Sequence, residues 1–170
     1  MTDPAGVTVE DVRAAQTLLA EVIRPTPLKF NRALADRLGT DVYLKCENLQ
    51  RAGSFKIRGA YTRMSRLTPE ERERGVVAAS AGNHAQGVAL AAQLLGIRSK
   101  VYMPVRAPMP KLAATRAYGA QIEQVGQTLA DEAFKACGLN RPGGDLRVWG
   151  RLIDWKKEKP QPGAIVEFRT

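Results

Sequence analysis

Apolar residues Val9, Val12, Leu18, Leu19 and Val22 recur at helical spacing and predict a helix over 8–23, with Thr8 and Asp11 in a capping arrangement at its start. Arg24-Pro25-Thr26-Pro27 stops it, because two prolines remove amide donors and push their predecessors toward extended backbone. A second helix is expected over 31–38, ended by Gly39, and residues 41–46 alternate as a short strand. A loop over 48–54 then leads into a helix over 55–67. Thr68-Pro69-Glu70-Glu71 reads as a compact helix start, closed by Gly75.

From there the pattern settles into alternation. Strands are expected over 76–80, 100–103 and 120–125, with helices over 85–95 and 108–118 between them. Gly96, Pro104 and Gly119 punctuate these segments. Strand, helix, strand, helix, strand in short order predicts an α/β fold with a parallel sheet. After about residue 127 the alternation does not resume. A last helix is expected over 129–137, Asn140-Arg141-Pro142-Gly143-Gly144-Asp145 is turn chemistry, and both tryptophans, Trp149 and Trp155, fall in the remaining stretch.

Composition narrows the chemistry. The chain has 170 residues, 44 % hydrophobic and 25 % charged, near average for globular proteins and enough for a buried core. No apolar run approaches a membrane span and no charged-then-apolar leader opens the chain, so a cytoplasmic location is expected. Cys46 and Cys137 lie far apart with no metal-like spacing, and His84 is the single histidine. That set does not supply an ordinary zinc site, so the expectation is no metal and either metal-free chemistry or an organic cofactor. The net charge of +9 raises a nucleic-acid reading. The excess is spread, +6 over 1–135 and +3 over 136–170, and no aromatic stripe alternates with it. Charge of that kind speaks to non-specific attraction, and a nucleic-acid partner is not expected.

Two stretches carry candidate chemistry. Ser54-Phe55-Lys56-Ile57-Arg58-Gly59-Ala60 stands at a helix entry. A helix dipole's positive end favours a neutral amine, the form that a Schiff-base nucleophile needs. A surface lysine opening an ordinary helix is the bland alternative. Ser80-Ala81-Gly82-Asn83-His84-Ala85-Gln86-Gly87 stands between a strand and a helix, where ligands bind in open α/β sheets. Small residues there admit a ligand to the backbone, and the helix start favours a carboxylate or phosphate. The bland alternative is a tight connection capped by Asn83 or Ser80.

Together the two stretches resemble the pyridoxal-phosphate-dependent enzymes of fold type II, the tryptophan-synthase-β type, and within them the threonine dehydratase and serine racemase branch. Pro25-Thr26-Pro27-Leu28, Tyr43-Leu44-Lys45-Cys46-Glu47-Asn48-Leu49-Gln50 and Lys111-Leu112-Ala113-Ala114-Thr115-Arg116-Ala117-Tyr118-Gly119-Ala120 also read like the family, and the resemblance spans roughly 8–130. It implies pyridoxal 5′-phosphate as cofactor and Lys56 as the lysine that binds its aldehyde and shuttles the α-proton. Phe55 would lie beside the ring, and Asn83 would hydrogen-bond the 3′ oxygen. Ser80, Ala81, Gly82, Asn83 and His84 would hold the substrate carboxylate. The implied reaction is dehydration and deamination of threonine, with serine as a side substrate, to a 2-oxo acid and ammonia. The same resemblance implies a place in amino-acid metabolism, with isoleucine biosynthesis or a catabolic role both open. Racemases of this type carry a serine where this chain has Ala81, which has no proton to give, so dehydration is favoured over racemisation.

The resemblance also implies what surrounds this segment. Family members have two domains and about twice this length, with a three-layer open parallel sheet and helices on both faces. On that pattern 1–45 begins the large domain, 46–136 forms most of the small domain that bears the lysine, and 137–170 is a divergent tail. The glycine run that wraps the cofactor phosphate is not recognisable here. An incomplete two-domain fold is therefore expected, as from a truncated or frame-shifted gene, with weak or absent turnover by this chain alone and a homo-oligomer only with the large domain present. A non-catalytic remnant or interaction module that keeps the small-domain fold is the alternative.

Overall fold

The computed structural model describes residues 7–127 and the backbone of 149–154 and 159–167. Helix α1 (Val9–Leu19) begins with a capping box, Thr8 and Asp11 each satisfying the other's backbone amide. It stops four residues short of the expected end. Residues 20–23 turn instead, with Val22 and Ile23 donating back to the Leu19 carbonyl while their side chains pack on the core. Strand β1 (Leu28–Phe30), not expected from the sequence, pairs antiparallel with β2 (Tyr43–Lys45), and α2 (Arg32–Leu38) connects them. Asn31 caps α2, and Gly39 ends it in the left-handed region at φ 68°.

Two single-turn 3₁₀ segments follow, Glu47–Leu49 and Arg51–Gly53, and then α3 (Lys56–Ser65) and α4 (Pro69–Arg74). Thr68 and Glu71 form a second capping box around Pro69, as the sequence predicts. The parallel sheet runs in the order β3 (Val76–Ala79), β4 (Ser99–Met103), β5 (Gln121–Gln124). Helices α5 (Asn83–Leu95) and α6 (Met109–Ala117) are the crossovers. Among the described residues the result is an α/β fold with a small parallel sheet and six α-helices.

The core lies where α3 and α5 meet the sheet. Ile57, Ala60 and Met64 of α3 and Ala85, Val88, Ala89 and Ala92 of α5 pack with Val76, Ala78, Val101 and Met103. Alternation along the strands sends Val77 and Tyr102 to the opposite face, where they form a separate small cluster. On that face the Lys100 ammonium pairs with Glu123 at 2.7 Å. Strands β6 (Trp149–Asp154) and β7 (Lys159–Glu167) pair antiparallel, with a register shift between Arg151 and Ile153. The helix expected over 129–137 and the turn over 140–145 lie outside the described residues. Among the described residues no helix is long and apolar enough to cross a membrane, and no cluster of three metal-ligating side chains occurs.

Candidate active site

The chain approaches Lys56 through two successive left-handed residues, Ala52 at φ 58° and Gly53 at φ 65°. For alanine that conformation costs roughly 1–2 kcal/mol, so the surrounding contacts must hold it. They do so from both sides. Buried Gln50 pairs with the Arg24 backbone in both directions, its amide nitrogen donating to the carbonyl at 2.7 Å and its oxygen accepting from the amide at 3.0 Å. Arg51 donates to the Val22 carbonyl at 2.9 Å. The turn so anchored delivers Ser54, itself buried, whose hydroxyl accepts from the Lys56 amide at 3.4 Å.

Lys56 is therefore the first residue of α3, half-buried, with its Nζ 5.2 Å from the centre of the exposed Phe55 ring. Two residues on, Arg58 clamps Glu47 with Nε and Nη2 donating at 2.8 and 2.7 Å. The Thr26 hydroxyl donates to the same carboxylate. The hydrogen bonds from Arg58, against an opposing effect of burial, hold the Glu47 carboxyl at about 2. One acid thus ties the Pro25–Pro27 segment and the 3₁₀ turn to the start of α3.

The second stretch begins at the carboxyl end of β3, where the Ser80 amide still donates to Tyr102. Helix α5 starts at Asn83, two residues earlier than expected, and its N-cap is Gly82, not Asn83 or Ser80. Ser80 nonetheless serves the helix start from outside it. Its hydroxyl accepts from the Gly82 amide at 3.2 Å and from Ala85, the third residue of the helix, at 3.3 Å. Asn83 and His84 occupy the first turn, where amides lack intrahelical acceptors. Ala81 and Gly82 are half-buried and Asn83 is exposed. Asn83 turns its Oδ1 to accept from the Lys111 ammonium of α6 at 2.7 Å.

Gly87 brings the two stretches together. A Cβ built there meets the Lys56 carbonyl carbon and Cβ at 3.0 Å, so α5 rests directly on the first residue of α3. His84, one turn earlier on α5, feels that neighbour. Burial first, and then the positive charge of Lys56, lower its imidazole from 6.5 to about 4, which leaves it neutral at pH 7.

The structure thus gathers Phe55, Lys56, Ser80, Ala81, Gly82, Asn83 and His84 around the meeting of α3 and α5. Ser54, Gly87 and Lys111 belong to the same arrangement and were not singled out for it. Ser54 and Gly87 lie inside the two quoted stretches, and Lys111 opens a third that reads like the family. No spacing rule pairs Lys111 with Asn83 across 28 positions.

The arrangement fits one end of a pyridoxal-phosphate group. It offers a half-buried amine at a helix start, an exposed carboxamide, and a strand-to-helix turn of small residues. Comparison with known proteins agrees. A family model described as "Pyridoxal-phosphate dependent enzyme" matches residues 19–145. The L-threonine ammonia-lyase of Thermotoga maritima is 52 % identical over 130 residues, which cover 76 % of this chain and 32 % of that protein. The L-threo-3-hydroxyaspartate ammonia-lyase of a Pseudomonas species is 47 % identical over 132 residues, covering 72 % of this chain and 41 % of that one. Among solved structures, the serine racemase of Dictyostelium discoideum superposes with a TM-score of 0.68 at 38 % identity, over 75 % of this chain and 42 % of that one. This chain therefore spans between about a third and two fifths of the length of the curated relatives it matches.

Proposed function

The chain belongs to the pyridoxal-phosphate dependent enzymes, and on that footing we propose that it carries the lysine-bearing part of an amino-acid lyase that dehydrates threonine. The observation that carries this reading is the seating of Lys56 at the start of α3, packed against Gly87 of α5 and close enough to His84 for its charge to act on the imidazole. Bound there, pyridoxal phosphate supplies an electron-withdrawing ring that stabilises negative charge at the amino acid's α-carbon.

In this reading Lys56 Nζ would hold the cofactor at its aldehyde carbon and would take the proton from the amino acid's α-carbon. Phe55 would lie beside the ring, and Asn83 Nδ2 would donate to the 3′ oxygen. Ser80, Ala81, Gly82 and the first-turn amides of Asn83 and His84 hold the substrate carboxylate. A neutral His84 adds no second positive charge beside Lys56. Threonine loses its β-hydroxyl as water, water is added back, and 2-oxobutanoate and ammonia leave. Serine, one methyl smaller, is a side substrate, since that difference costs a pocket only about 1–3 kcal/mol. Ala81 offers no acid or base, which favours elimination over racemisation.

The domain reading is proposed on the same basis: 1–45 as the start of a large domain, 46–136 as the small domain, and 137–170 as a divergent tail. The proposal extends to a three-layer fold, an open parallel sheet with helices on both faces, and to a homo-oligomer only with the large domain present. The described residues provide the amine end of the site and no glycine-rich cradle for the phosphate. With no glycine run for the phosphate recognisable in the sequence, uptake of cofactor by the 170-residue chain is expected to be weak, and turnover weak or absent. That same feature favours the second reading, a non-catalytic module that keeps the small-domain fold.

Absorption spectroscopy separates the two. Titration with pyridoxal phosphate is expected to give a visible band that Lys56→Ala removes. A band that survives this substitution, or none at millimolar cofactor, favours the non-catalytic module. Release of 2-oxobutanoate from threonine is the stricter test of activity.

A further inference from the structure

A lysine ammonium has three donors and no acceptor, whereas a carboxamide has one end of each kind. The contact between Lys111 Nζ and the Asn83 side chain, at 2.7 Å, therefore has only one chemically sensible form, with Oδ1 facing the ammonium. The two ends of an amide are nearly alike in shape, and partners decide which way it lies. Here the partner decides it. With Oδ1 held by α6, the Nδ2 donors point away from Lys111, on a residue that is exposed at the first turn of α5.

We propose that Lys111 is a positioning residue: it locks the Asn83 carboxamide so that a bound ligand meets an N–H donor and not a carbonyl oxygen. The inference rests on the reading above, in which the ligand atom at Asn83 is the acceptor oxygen at position 3′ of pyridoxal phosphate. An unlocked amide presents its oxygen to that atom part of the time, oxygen against oxygen. The ammonium also draws electron density toward Oδ1 and so strengthens the donors at Nδ2. Lys111 acts without touching the ligand, from the first turn of α6, by its hydrogen bond to the first residue of α5.

Two measurements on the 170-residue chain test this. The first uses no cofactor: the carboxamide carbon and nitrogen shifts of Asn83 are followed by NMR. They are expected to move on Lys111→Met and to stay near their parent values in Lys111→Arg, which keeps a donor; no shift on Lys111→Met overturns the proposal. The second measures the rate at which pyridoxal phosphate, trapped with borohydride, labels Lys56. Lys111→Met is expected to slow it about ten-fold, the scale of one charge-assisted hydrogen bond, with Lys111→Arg restoring most of the loss. In an Asn83→Ala background Lys111→Met should change nothing further. A full additional loss there means that Lys111 acts on the cofactor directly and overturns the proposal. Circular dichroism of each variant separates loss of fold from loss of orientation. If the parent chain itself shows no labelling at Lys56, the functional reading fails, and the Asn83 shifts alone decide the orientation.

Discussion

Two side chains near the start of α3, Glu47 and His84, tie stability to acid pH in different windows. Glu47 is held at about 2, first by the hydrogen bonds from Arg58 and then by that from Thr26. Its folded value lies below its unfolded value of 4.5, so its stabilisation is complete above pH 4.5 and disappears as the pH falls through about 2. His84 is lowered to about 4 from 6.5 by burial and by Lys56, so the unfolded chain binds that proton first. Stability is lost to this group as the pH falls from 6.5 toward 4. Chemical denaturation across pH is expected to show both slopes. His84→Gln flattens the upper window, and Glu47→Gln flattens the lower one and costs about 1–3 kcal/mol at pH 7. Equal slopes in parent and variants contradict these assignments. Neither effect was legible in the sequence, where Glu47 and Arg58 are eleven residues apart in different segments and His84 is one polar residue in a turn.

The seam between α3 and α5 is where sequence and structure inform one another most. Capping chemistry at Thr8, Thr68, Gly39 and Gly96 was readable because it depends on neighbours within four residues. The parallel strands β3 and β4 were readable from short apolar runs between helices. The antiparallel pairing of β1 with β2 was not, because its partners lie thirteen to seventeen positions apart and both strands are exposed, so no buried face marks them. The early start of α5 escaped for a related reason: Ser80 satisfies the third helical amide from outside the helix, a contact no capping rule anticipates. Gly87 shows the same limit. Its place in the motif was visible, but the closeness of Lys56 was not. Gly87→Ala puts a methyl group 3.0 Å from Lys56 backbone and Cβ atoms, which must move. The expected cost is about 1–3 kcal/mol, the usual range for overpacking, read as a lower thermal midpoint together with slower Lys56 labelling. An unchanged midpoint contradicts the close approach.

Burial is unevenly divided along the described residues. Over 7–49 the buried residues are Leu19 and Thr26, whereas β3, α5 and β4 are buried along most of their length. Hydrogen exchange is expected to show the strongest protection in β3, α5 and β4 and the weakest in the β1–β2 pair and α2. Uniform protection across 7–127 contradicts the proposed boundary near residue 45. The same unevenness accords with a chain that spans about a third to two fifths of its relatives. The resemblance singled out the lysine and the turn from two short stretches of sequence, while residue type and spacing alone left a surface lysine and a capped turn open. Everything proposed for this chain depends on Lys56 being the amine that meets pyridoxal phosphate. The most direct test is incubation with pyridoxal phosphate, borohydride reduction and peptide mass mapping of the intact 170-residue chain. The phosphopyridoxyl adduct is predicted at Lys56 ahead of every other lysine, even with weak affinity; adduct spread over the surface lysines with no preference for Lys56 would contradict the account.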